Sequence, residues 1–173
     1  MRVLFFNLII ITILTAHPHT FIDVYSKINH KKNIITSINI EWKFDEMTSQ
    51  LLLMEFDSNM DGRIDSEENE FIFINYFEPL ENYGFYTDIR INKKAVKTKP
   101  ENFKTYINKE QRIIYSFDIE INAPKDKLYI DFYDKENFSA YVLKKEFVTS
   151  SIPFRIVDVD NDFYFTFRLE FKE

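Results

Sequence analysis

The sequence predicts a mainly β protein, an antiparallel β-sandwich carrying one inserted helix-loop-helix at about residues 44–80. Three observations carry this. Runs rich in Ile, Phe, Tyr and Val lie near the start of the chain and again from Tyr83 to its end, separated by Asn, Lys, Asp and Pro turns. Between those two regions the apolar period changes from two to a helical one at Phe44. The 173 residues suit one ordinary domain, and with 45% hydrophobic and 17% aromatic residues the chain is too apolar to stay disordered.

The chain opens MRVLFFNLIIITILTAHPHTF, with one Arg, an apolar stretch from Val3 to Leu14 broken by Asn7 and Thr12, then Thr15 and Ala16. This is a signal-peptide pattern, shorter than the ~18 to 20 apolar residues that cross a bilayer. Cleavage is expected after Ala16, although Leu14 stands where a small residue is preferred. Residues 1–16 are thus read as a signal peptide and 17–173 as one β-rich domain. The domain is expected to be periplasmic or otherwise exported, and not membrane-spanning once the leader is cut. Without cysteine it has no disulfide to lean on and depends on its core and on any metal it binds.

In TFIDVYSKI, Ile22, Val24 and Ile28 alternate with Phe21, Asp23, Tyr25 and Lys27, the period of a half-buried strand. NHKKN reads as a turn, and NIITSINIEWKF, with Ile35, Ile38 and Ile40, completes a hairpin. From there Phe44, Met47, Leu51 and Met54 recur at helical spacing behind the candidate N-cap Asp45, which predicts an amphipathic helix packed through those residues. A second helix is expected from about Ser66, stopped by Pro79. FYTDIRIN, NFKTYIN, RIIYSFDIEIN, KLYIDFYD, FSAYVLKKEF and FYFTFRLEF follow as strands, and DVDND at Asp158–Asp162 as a β-turn.

Between the two helices stands DSNMDGRIDSEE, Asp57 to Glu68, holding one of the chain's two glycines. An EF-hand calcium loop needs oxygen ligands at its first, third, fifth, seventh, ninth and twelfth places and glycine at the sixth. Asp57, Asn59 and Asp61 supply side-chain oxygens, Arg63 its backbone carbonyl, Asp65 a direct or water-mediated contact and Glu68 the bidentate closure, with Gly62 at the turn. Ile64 is placed to anchor the loop on the core, and Asp65 with Glu68 has the spacing of a capping box. The loop is therefore expected to be EF-hand-like and to bind Ca²⁺ in a structural rather than a sensing role. The competing reading is a solvated acidic turn.

Cleavage after Ala16 would make His17 and His19 the first and third residues. On an extended segment they share a face with Asp23 and, with the free amine, form a donor set for Ni²⁺, Co²⁺, Zn²⁺ or Cu²⁺. Pro18 lacks an amide hydrogen, so a square-planar mode through backbone amides would be incomplete. The bland alternative is a frayed, solvated terminus. His30, between Asn29 and Lys31, reads as a surface residue. The formal charge of −6 and the lack of a basic run argue against nucleic acid. With no G-x-S-x-G, no cysteine, no H-E-x-x-H and no glycine-rich phosphate loop, no enzymatic activity is expected.

AHPHTFID, EWKFDE, the acidic loop, YGFYTDIRI and FYDKENF, in this order, resemble the domain-of-unknown-function family numbered 1007 across nearly the whole mature chain. The resemblance implies a periplasmic component of an uncharacterised ABC-type transport system, associated with nickel/cobalt permeases. It marks His17, His19, Asp57, Asn59, Asp61 and Glu68 as metal contacts. The expected function is an exported metal-binding accessory of an inner-membrane metal permease or ABC-type transporter. The alternative is a calcium-stabilised periplasmic protein-binding module with no transition-metal role. A copper enzyme built on an N-terminal histidine is a weaker rival, because its second histidine would have to be His30.

Overall fold

In the computed structural model, which describes residues 20–136, 139–161 and 164–171, the first alternating segment is β1 (Thr20–Lys31), with Ile22, Val24 and Ile28 buried. It pairs antiparallel with β2 (Ile34–Phe44) as the expected hairpin, Ile22 opposite Phe44 and Ile28 opposite Ile38. Ile35 and Ile38 are both buried although three residues apart, which a regular strand forbids. The register of β2 against its other neighbour shifts between Ile35 and Ser37, and such an irregularity changes which face a side chain takes.

The remaining strands are β3 (Thr87–Ile91), β4 (Lys94–Val96), β5 (Pro100–Ile107), β6 (Ile113–Pro124), β7 (Leu128–Phe132), β8 (Ser139–Val142), β9 (Val148–Thr149), β10 (Phe154–Asn161) and β11 (Tyr164–Phe171). They form two sheets, one ordered β5-β6-β2-β1-β8 with β9 also on β1, the other β10-β11-β7-β3-β4. Val24, Ile40 and Phe117 of the first sheet and Ile89, Ile130, Phe132 and Leu169 of the second belong to one apolar cluster. The protein is thus mainly β, with two mostly antiparallel sheets around a shared core. The pairing departs from the antiparallel expectation at β8 and β9, which run parallel to β1. FSAYVLKKEF is not one strand either, since β8 ends at Val142 and Lys145–Phe147 is a 3₁₀ turn. The expected turn at Asp158–Asp162 is corrected as well: Asp158 to Asn161 extend β10, paired with β11 from Phe167 to Tyr164. Asp162 lies outside the described residues.

Between β2 and β3 the chain is helical. Asp45 caps α1 (Glu46–Phe56), as expected, by accepting the Thr48 N–H at 2.9 Å. The buried face is not the expected one. Met47, Leu51 and Met54 are 62%, 63% and 84% exposed, and Phe44 belongs to β2. The helix instead packs through Ser49, Leu52, Leu53 and Phe56, which also recur at helical spacing. The sequence carries two stripes, and the one led by a serine wins because the Ser49 hydroxyl donates to the Phe44 carbonyl (3.2 Å) and accepts the Ile113 N–H (3.1 Å). A short polar side chain satisfies backbone groups where β2 turns into the helix and β6 begins, which no methionine could do.

The second helix, α2 (Ser66–Ile72), starts where expected but Pro79 does not stop it. The chain passes through a π-helical turn, Phe73–Phe77, into a 3₁₀ segment, Glu78–Tyr86, with Pro79 in its first turn, where a missing N–H costs nothing. Phe77 is buried against Phe85, Phe103 and Phe117, tying this segment to the first sheet. The segment ends in a run of left-handed residues, Gly84, Phe85 and Tyr86, at φ +62°, +50° and +47°.

Candidate functional site

The loop from Asp57 to Glu68 is ordered by its own acids. Asp57 accepts the Asp61 N–H on one carboxylate oxygen (3.0 Å) and the Gly62 N–H on the other (2.9 Å). Asn59 Oδ1 accepts the Asp61 N–H and Asp61 Oδ1 the Arg63 N–H, both at 2.9 Å. Gly62 makes the turn at φ +78°, a backbone region that costs glycine nothing. Asp65 caps α2 by accepting the Glu67 and Glu68 N–H groups, and Glu68 Oε2 returns to the Asp65 N–H at 3.1 Å, completing the capping box. Ile64 packs on the core cluster as expected.

Glu68 is the centre of this arrangement. It is 6% exposed, and its Oε1 accepts the Ser58 N–H (2.8 Å) and the Ser58 hydroxyl (3.0 Å) across the loop. The structure thus brings Asp57, Asn59, Asp61, Arg63, Asp65 and Glu68 into one closed loop, with its carboxylates directed at N–H and O–H donors. Among the described residues no group of three or more His, Cys, Asp or Glu is gathered to hold a metal ion. His17 and His19 lie outside the described residues, as does the expected leader. Among the described residues no helix is long and apolar enough to cross a membrane.

His30, read as plain surface, has two partners. Its Nδ1 lies 2.9 Å from the Lys32 carbonyl and its Nε2 lies 2.6 Å from Ser151 Oγ. A carbonyl only accepts, so Nδ1 carries a hydrogen toward it, while Nε2 shares its bond with the Ser151 hydroxyl, which can either donate or accept. This fastens the β1–β2 turn to the segment after β9, a contact invisible to the sequence because the two residues are 121 positions apart.

A separate concavity lies elsewhere, a cleft of about 790 Å³ between the 3₁₀ segment, the β3–β4 hairpin and the residues after β7. Tyr83, Tyr86 and Tyr133 line it, with the ion pair Asp88–Arg90 (2.6 Å) and the pair Glu81–Lys97 (2.9 Å). Burial, with lesser contributions from Asp134, Tyr83 and Glu136, pushes the Tyr86 phenol up to about 12, so it is neutral at ordinary pH. The sequence signal is YGFY, in which one of only two glycines sits among aromatics.

No curated protein matches the chain. A family model described as "Protein of unknown function (DUF1007)" matches residues 2–156, a span that takes in both helices, the acidic loop and the aromatic turn. With that span covered, the chain belongs to the DUF1007 family.

Proposed function

We propose that the protein is an exported metal-binding accessory of a metal transport system, with an EF-hand-like loop that holds a structural Ca²⁺ and an N-terminal histidine site. The observation that carries the calcium half is the order of bonds in the loop: the first-place carboxylate of Asp57 gathers the N–H groups of the fifth and sixth residues around the Gly62 turn. The ligands would be side-chain oxygens of Asp57, Asn59, Asp61, Asp65 and Glu68 and the Arg63 carbonyl, all hard donors suited to Ca²⁺. Each carboxylate oxygen bonded to an N–H retains a second lone-pair direction. Glu68 would exchange its bonds to Ser58 for the ion, and that exchange argues for a weak site of about 10⁻⁴ to 10⁻³ M, sufficient in a calcium-rich compartment.

At free Ca²⁺ a hundredfold above the dissociation constant, linkage raises stability by about 2.7 kcal/mol. Glu68→Gln should abolish most of that gain. An equal calcium-induced melting shift in wild type and variant overturns the assignment.

His17 and His19 would hold Ni²⁺, Co²⁺, Zn²⁺ or Cu²⁺ for an inner-membrane metal permease or ABC-type transporter. Support comes from the clustering there of two of the chain's three histidines and from the transport association that the family resemblance implies. Calorimetric titration of the calcium-loaded mature protein should show affinity falling as pH drops through the histidine range near ~6.5 and a marked loss in the His17→Ala, His19→Ala double variant. Equal affinity in both proteins favours the second reading, a calcium-stabilised periplasmic protein-binding module with no transition-metal role. That reading draws on the cleft at Tyr83 and Tyr86, which includes none of the loop residues.

A further inference from the structure

The floor of the cleft is a fixed aromatic platform. Tyr83, 52% exposed, stacks on Tyr86 with ring centroids 5.7 Å apart and planes 17° from parallel. Tyr86 lies 5.2 Å from Tyr141, and Tyr141 lies 5.2 Å from Trp42 in the core, so the platform is backed by packed rings. Its backbone is the left-handed run Gly84, Phe85 and Tyr86, two of them bulky residues for which such φ values are strained. The run is held by the Tyr133 N–H donating to the Tyr86 carbonyl (3.2 Å), by the Thr87 hydroxyl donating to the Phe85 carbonyl (2.9 Å) and by the Phe85 ring against Phe77. Strain held in place this way concentrates where a protein presents side chains to a ligand.

The rim selects the ligand class. Four carboxylates, Glu81, Asp88, Asp134 and Glu136, face three cations, Arg90, Lys97 and Lys135. Most are already matched: Arg90 donates twice to Asp88 (2.9 and 2.6 Å), and Lys97 pairs with Glu81. Asp134 accepts the Glu136 and Ser139 N–H groups, and the Lys135 ammonium lies 5.7 Å from the centre of the Tyr133 ring. With one carboxylate in excess, the nearly cancelled rim gives little net field to hold an anion or a polycation. Its spare guanidinium N–H groups, carboxylate lone pairs and the Asn82 amide suit hydroxyls, which both donate and accept. The volume lies within the range of small-molecule sites.

We propose that this cleft binds a neutral oligosaccharide, with the apolar C–H face of one sugar ring on Tyr83 and its hydroxyls on the rim of Asp88, Arg90 and Asn82. The site is independent of the metal readings and is tested without them. The protein purified after export is titrated with maltotriose, cellotriose and triacetylchitotriose, with spermidine and inorganic sulfate as charged probes, by calorimetry and ligand-observed NMR. At least one trisaccharide should bind, with both charged probes weaker. Tyr83→Ala should lower its affinity about tenfold or more, and Tyr83→Phe should restore it. Tyr83 is half exposed, so circular dichroism should report an intact fold in both tyrosine variants. The proposal is overturned if no trisaccharide binds below about 10 mM, if Tyr83→Ala binds as well as wild type, or if spermidine or sulfate binds more tightly.

Discussion

Asp45 shows how one side chain can join two elements. Its Oδ1 caps α1 at Thr48, while its Oδ2 accepts the Phe21 N–H at 2.8 Å and the Thr48 hydroxyl at 2.8 Å, tying the start of β1 to the start of the helix. Partial burial pushes its carboxyl up, but the N–H groups of Thr48 and Phe21 and the Thr48 hydroxyl outweigh burial and hold it below the usual carboxylate range. A carboxyl depressed in the folded state adds stability that is present above its unfolded value, near ~3.9, and lost as pH falls through its folded value. Asp45→Ala should therefore cost about 1 to 2 kcal/mol at pH 7, measured by urea unfolding. Asp45→Asn should cost less, and its deficit against wild type should shrink in acid below the ordinary carboxylate range.

At the scale of the element, α1 tests whether the Ser49 stripe or the methionine stripe is the packed face. Leu51→Lys should change stability by no more than about 0.5 kcal/mol, because the side chain already faces solvent. Ser49→Ala, a far smaller change, should cost about 1 to 3 kcal/mol, because it leaves the buried Ile113 N–H without its acceptor. Chemical denaturation of the two variants decides the matter, and the reverse order would return the helix to the face its methionines suggest. The loop element has a similar asymmetry, since Glu68 closes it through both Ser58 and Asp65.

For the whole molecule, the two sheets and the helical segment meet in one aromatic-rich core, with Trp42, Phe56, Phe77, Phe117 and Phe132 all fully buried. Several tyrosines belong to that core or its margin. Burial pushes Tyr86 up to about 12, and Tyr106, bonded to Glu41, also to about 12. Burial raises Tyr115 and Tyr141 as well. A phenol raised on folding stabilises fully below its unfolded value, near ~10, and that contribution is lost as pH climbs through the folded value. The protein should thus hold its stability to about pH 10 and lose it steeply by about pH 12. Phenolate absorbance should rise together with the change in Trp42 emission. Phenolate absorbance that rises fully before Trp42 responds would contradict burial as the cause.

Local pattern alone determined the strands of the first hairpin, the Asp45 and Asp65 caps and the Gly62 turn of the acidic loop. Each depends on residues within a few positions of one another, where period, capping and turn chemistry act. Membership of the DUF1007 family was also legible, from short motifs in a fixed order. Tertiary structure decided the rest. It chose between two apolar stripes on α1 through a serine that meets β6, 64 residues away. It placed β8 and β9 parallel to β1, buried Phe77 through a π-helical turn and carried the helical run on past Pro79. It also assembled the tyrosine cleft from three separated segments. These outcomes turn on which distant backbone groups need partners and which rings share a volume, quantities a local pattern does not contain.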